Sequence, residues 1–153
     1  MSYRRRLSDH EPASGGFSLQ VCLFGYTLVV AMDEPPMLKR LSWVGSSKRD
    51  LLALPEEVVD VFGYALYLAQ TGRKHEQAKP LKGFGSAGVL EVVEEWERST
   101  YRAVYTVRFE CAVFVLHVFQ KKAKRGIATP KAELGLIRQR LKVAEEAAKE
   151  LES

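Results

Sequence analysis

From Met37 onward, apolar and polar positions follow a rhythm that changes from period two to helical spacing and back. Leu38–Val44 alternates, with Leu41 and Trp43 on one side, and predicts a short strand. Ser47-x-x-Asp50 reads as a capping box that opens a short helix through Leu51, Leu52 and Leu54. Pro55 suits the first turn of a second helix, with Glu56 and Glu57 near its positive end. Val58, Phe62, Ala65 and Ala69 give that helix an apolar stripe, and Gly72 stops it. The two helices are expected to form an antiparallel pair that serves as scaffold.

A loop with a proline, two glycines and two lysines follows over Lys79–Gly85. Three segments rich in Val, Tyr and Phe come next, Val89–Trp96, Tyr101–Phe109 and Ala112–Gln120, separated by short turns at Glu97–Thr100 and Glu110-Cys111. They predict an antiparallel meander. Thr129 as N-cap and Pro130 as first helical residue then start a helix carrying Leu134, Ile137, Leu141, Ala144, Ala148 and Leu151. The order β-α-α-β-β-β-α predicts a small α+β domain over residues 37–153, an antiparallel sheet with helices packed on one face.

Residues 1–36 read differently. Met1–Gly16 is polar, Val21–Met32 is apolar but too short to span a bilayer as a helix, and Asp33-Glu34-Pro35-Pro36 interrupts any element. A flexible extension, or codons upstream of the true start, is favoured over a secretory signal, because Asp9 and Glu11 sit in the long polar segment ahead of the apolar run.

Composition narrows the chemistry. The chain has 153 residues, with 46% hydrophobic and 27% charged positions, which fits one domain with its own core. The formal charge of +4 is unevenly placed: Arg98 to Lys131 holds eight Lys/Arg against the single acid Glu110. Such a stretch favours a polyanion, nucleic acid before a lipid surface, although a solvated charge run has the same composition. The two cysteines, Cys22 and Cys111, and three histidines, His10, His75 and His117, have no metal-ligand spacing, and no phosphate-binding glycine motif or serine elbow is present. No cofactor is expected. Cations, hydroxyls and a carboxylate are left to carry any reaction.

Period-two geometry groups some of these cations. Arg102, Val104, Thr106 and Arg108 share one face of their strand, with Arg102 and Arg108 roughly 20 Å apart. If Glu110-Cys111 is a two-residue turn, Phe109 pairs with Ala112 and Arg102 lies opposite Phe119, at the sheet end that also holds Gln120, Lys121 and Lys122. Lys82, Arg102, Lys121, Lys122 and Lys124 then gather at that end, and His117 shares the Arg102 face. The cluster would bind an RNA backbone and stabilise charge on a phosphorane attacked by the 2′-hydroxyl, without a metal. The bland alternatives are a cross-strand ion pair of Arg102 with Glu95, a solvated turn over Lys121–Arg125, and a packed core role for His117 rather than general-acid work.

Tyr101-Arg102-Ala103-Val104-Tyr105, followed by Val115–Lys124 with its Phe119-Gln120-Lys121-Lys122 ending, resembles the core of the RelE/HigB toxins. Leu81-Lys82-Gly83 with Leu90-Glu91-Val92 is similar to the approach to that strand. Thr129-Pro130-Lys131 with Glu133 is similar to the opening of the terminal helix in the HigB-like, phage-derived branch. The likeness runs from about Leu38 to Glu146. It implies a microbial RNase fold and a cytoplasmic type II toxin that cleaves mRNA, commonly on the ribosome. A cognate antitoxin, often a helix-turn-helix protein, is implied as its partner, and no membrane. By the same resemblance Arg102, Lys122 with Lys121 beside it, and Lys82 would be the site cations, Arg102, Lys122 and Lys82 catalytic and Lys124 an addition; Lys79, Lys121, Lys124, Arg125 and Arg108 are the candidates for holding RNA. A gyrase-binding toxin of the ParE type, or a non-catalytic RNA-binding protein of phage origin, is the alternative. One departure stands out: several members end in a Tyr or His able to act as general acid, whereas this chain runs on through Lys124-Arg125-Gly126 into a helix.

Overall fold

The computed structural model describes residues 37–121 and 129–153, so the expectations for residues 1–36 lie outside it. In chain order the elements are β1 (Arg40–Trp43), α1 (Ser47–Leu52), α2 (Glu56–Gln70), β2 (Lys79–Pro80), β3 (Val89–Trp96), β4 (Ser99–Thr106), β5 (Ala112–Lys121) and α3 (Lys131–Glu152). Among the described residues they build an α+β domain around a five-stranded sheet of order β1-β5-β4-β3-β2.

The meander of β3, β4 and β5 is antiparallel as expected, but β1 joins β5 in parallel, Arg40 opposite Ala112 through Trp43 opposite Val115, so the sheet is mixed. The intervening helices supply the crossover that a parallel neighbour needs. The Lys79–Gly85 loop also differs from expectation. Its first two residues pair with β3, Lys79 opposite Glu91 and Pro80 opposite Leu90, and form an edge strand where a proline is tolerated.

Helix starts shift by a residue. Ser46, not Ser47, precedes α1 and its Oγ donates to Asp50 at 2.6 Å, while Ser47 Oγ is buried on the Val115 carbonyl at 3.1 Å. Pro55 and Pro130 each stand at the cap position, one residue before the helix proper. The short α1 packs on β5 rather than forming a hairpin with α2.

Strand alternation sorts the core into two groups. Leu51 of α1 and Val58, Phe62, Ala65, Leu66 and Ala69 of α2 pack with Val92, Ala103, Tyr105, Val113 and Val115. Ile137, Leu141, Ala144 and Ala148 of α3 pack with Val89, Val104, Phe114 and Leu116, residues of the opposite alternation. α1 and α2 share one packing group, and α3 packs with residues of the opposite alternation. Burial of β5 from both sides accounts for its unbroken apolar run, Ala112 to Leu116.

At the heart of the α2 side sits Tyr105, fully buried, its hydroxyl bonded to none of the described residues. Burial pushes the phenol up to about 12 from 10. A group whose folded value lies above its unfolded one stabilises fully below the unfolded value, and that contribution drains away as pH rises from 10 towards 12. Tyr105→Phe is expected to gain about 1 kcal/mol at neutral pH by removing an unsatisfied hydroxyl. It should also flatten the alkaline loss of stability, both read from urea titrations at pH 7 and across pH 10–12.

Candidate functional site

Arg102 lies on the α3 side of β4, as alternation requires, but it is not an exposed cation. It is 3% exposed, and Nη1 donates to Glu91 Oε2 at 2.5 Å and to Thr129 Oγ1 at 3.1 Å. The alternative of an ion pair with Glu95 is corrected to Glu91: Arg102 stands opposite Val93, which makes Glu91 and Glu95 its two diagonal neighbours. Glu91 is the inward one, beside Thr129 at the entry to α3. Thr129 therefore serves Arg102 and Glu91 rather than capping α3.

The second feature is a β-bulge. Val104 pairs with His117 but Tyr105 pairs with Val115, which leaves Leu116 as an extra residue in β5. Without it, alternation from Phe114 would turn His117 towards α2. With it, His117, Phe119 and Lys121 join Leu116 and Arg102 on the α3 side. The expected register of Arg102 opposite Phe119 is found, yet the two-residue turn is not: β4 stops at Thr106, opposite Phe114, and residues 107–111 make a longer connection.

His117 is buried, but its surroundings are not those of an apolar core histidine. Nε2 lies 2.6 Å from Glu133 Oε2, Nδ1 lies 3.1 Å from Arg140 Nη1, and Phe119 stacks on the ring at 4.8 Å. Arg140 also donates to the Leu116 carbonyl at 2.9 Å, the bulge's own acceptor, and to Ser46 Oγ at 2.8 Å. Gly45 leaves room for this guanidinium. Its backbone is left-handed at φ 59°, and a Cβ there would come within 3.0 Å of Arg140 Nε.

Two of the other predicted cations lie on this face of the sheet. Lys79, exposed, stands opposite Glu91, and Lys121 stands opposite Thr100 on the Arg102 face. Lys82 does not join Lys121 at one sheet end as expected: its loop leaves the sheet beside Val89, four residues along β3 from the Val93 that faces Arg102, and there Phe84 takes the Arg138 guanidinium of α3 over its ring at 5.4 Å. Arg108 is not part of the group: it lies beyond the far end of β4 and pairs with Glu145 at 2.9 Å. A cleft of about 460 Å³ opens there, lined by Arg108, Phe109, Glu145 and Lys149 among others. Lys122, Lys124 and Arg125 lie outside the described residues.

Sequence reasoning missed Arg140, Ser46 and the part played by Glu91, Thr129 and Glu133. Three of these stand inside quoted motifs, but only the fold shows that Thr129 and Glu133 reach back to the sheet face that carries Arg102.

A small mixed sheet with helices against it and lysines around a buried arginine–carboxylate centre defines an α+β domain of the RelE-like kind. The family model described as Phage derived protein Gp49-like (DUF891) matches residues 49–142, and the chain belongs to that family, a phage-derived one within the RelE/HigB-like toxin group. No match was found among curated proteins. Among the described residues no helix is long and apolar enough to cross a membrane.

Proposed function

We propose that this protein is the toxin of a type II toxin–antitoxin system and a metal-independent endoribonuclease that cleaves mRNA on the ribosome in the cytoplasm. The observation that carries the reading is family membership over residues 49–142, supported by the sheet face that carries Arg102, Lys79 and Lys121. RNA brings its own nucleophile, the 2′-hydroxyl, so the protein needs to position the backbone and stabilise the negative phosphorane. Lys82, Lys121 and Lys122 are assigned to the backbone and the developing charge, with Lys79, Lys124 and Arg125 extending the contact. Arg102 stabilises charge from beneath, once Glu91 and Thr129 share it with a phosphate. A cognate antitoxin, a helix-turn-helix protein, would cover the same face.

Brief induction in a bacterial host, with 5′ ends of an abundant mRNA mapped by primer extension, tests this. New ends inside the coding region are expected. In a Lys82→Ala/Lys122→Ala variant they should fall by about 10²-fold or more, the effect of removing donors that act on the transition state. Arrest of growth without new ends would indicate a gyrase-type target, and neither effect would leave a non-catalytic RNA binder.

A further inference from the structure

The contacts that end on Glu133 form a chain in which each proton has a defined place. Asp50 accepts from Ser46 Oγ, Ser46 Oγ accepts from Arg140 Nη2, and Arg140 Nη1 faces His117 Nδ1. A guanidinium can only donate, so Nδ1 must accept, and the ring proton belongs on Nε2, where it is donated to Glu133 Oε2. One carboxylate oxygen is thus pinned from the sheet. The other, Oε1, is bonded to none of the described residues, and the side chain is 32% exposed. Arg140 is itself seated by the Leu116 carbonyl of the bulge and by the space above Gly45. A surface ion pair between sheet and helix needs none of this apparatus.

Position matters as much as order. His117 stands opposite Val104, the same-face neighbour of Arg102, so the imidazole lies roughly 7 Å along the sheet from the arginine. Glu133 lies in the first turn of α3, four residues after Thr129, whose hydroxyl touches Arg102. Among the described residues Glu95 on this face is exposed and held by no partner, whereas Glu133 is both pinned through one oxygen and part-exposed at the other, within a nucleotide's reach of the buried guanidinium. Glu91, more buried at 17% exposure, faces the Arg102 cation and Thr129 through Oε2, which holds it as a counter-charge.

We infer that Glu133 is the general base of the cleavage, with His117 and Arg140 as its positioning residues, an assignment that rests on the ribonuclease reading above. Glu133 Oε1 takes the proton of the 2′-hydroxyl as the 2′ oxygen forms its bond to phosphorus. The bond from phosphorus to the 5′ oxygen breaks, that oxygen takes a proton from solvent, and Glu133 returns its own to solvent. The products are a 2′,3′-cyclic phosphate and a 5′-hydroxyl, with no oxidant, metal or other reactant consumed.

Glu133→Gln separates chemistry from structure, because the amide oxygen still accepts the His117 Nε2 proton while no longer taking one from a hydroxyl. The full chain is followed in single-turnover cleavage of an mRNA, both free and on programmed ribosomes. Binding is measured with the same mRNA carrying a 2′-deoxy residue at the cleavage position. Glu133→Gln should slow cleavage by about 10²-fold or more, with Glu133→Asp in between. Binding should stay within about threefold, the split expected when only the transition state is affected. Arg140→Ala should lower the rate at unchanged binding, with Arg140→Lys recovering part of it. Cleavage at the wild-type rate by Glu133→Gln overturns the assignment alone. So does a loss of rate matched by loss of binding and of thermal stability, which would make the contact a structural tie. A wild-type chain that leaves both RNAs intact overturns the ribonuclease reading and this assignment with it.

Discussion

Arg102→Ala is expected to cost about 3–5 kcal/mol of folding stability, because it strands a buried carboxylate rather than removing a surface charge. Glu91, with a side chain only 17% exposed, would keep its charge and lose its Arg102 partner. Against a total stability of about 5–15 kcal/mol for a domain of this kind, that is a large fraction. A paired change, Arg102→Met with Glu91→Leu, should recover most of it, since apolar residues of similar volume carry no desolvation penalty. Urea midpoints at unchanged slope would measure both effects. The result bears directly on function: loss of activity in Arg102→Ala alone would not distinguish a catalytic arginine from an unfolded chain. Arg102→Lys, with its charge retained and its fork lost, is the variant that makes the distinction. A loss of only about 1 kcal/mol in Arg102→Ala would mean instead that water reaches the pair in solution and that α3 does not hold its first turn over it.

The element order was legible because each long element has one strong period, and the three central strands carry the aromatic and β-branched residues that a half-buried pleat accommodates. What was not legible came from places where a residue belongs to two patterns at once. Pro80 argues against a strand, yet on the sheet edge its missing donor faces no partner. Ser47 looks like a cap, but its hydroxyl is drawn to the Val115 carbonyl because α1 packs on β5. The apolar run Ala112 to Leu116 contributes alternately to the group packed with α3 and to the group packed with α2. The bulge at Leu116 left no trace in composition. It is detectable only through pairing, and the expected placing of His117 on the Arg102 face holds because the bulge offsets the one-residue difference made by the longer connection. Likewise the cations were visible as a charge run, whereas Glu91, which neutralises Arg102, and Glu133, which accepts from His117, were visible only as members of motifs. Burial of Arg102 follows from a helix some thirty residues later in the chain, and no local pattern encodes that.

The two cores should respond separately. Phe62→Ala, at a fully buried position against the α2 side of the sheet, is expected to cost about 3–5 kcal/mol, and Ile137→Ala on the α3 side about 2–5 kcal/mol. Their consequences differ in kind. Phe62 lies in the cluster that joins α1, α2 and four strands, so its loss should lower the global midpoint for every probe. Ile137 anchors only α3, so its loss should first raise amide exchange along residues 131–152 while β4 and β5 stay protected. Milder changes test independence without exhausting the fold: Ile137→Val is expected to cost about 0.5–1.5 kcal/mol and Phe62→Leu about 1 kcal/mol. Together they should add to within about 0.5 kcal/mol, because the sheet separates them and they share no partner. Loosening α3 has a second consequence. Thr129, Glu133 and Arg140 leave the sheet with it, so Ile137→Ala should make Arg102 and His117 accessible while dismantling the chain that fixes Glu133. Weaker cleavage alongside stronger RNA binding in that variant is therefore the expected pairing. A parallel fall in both would mean that α3 contributes to the RNA-binding face itself rather than covering it.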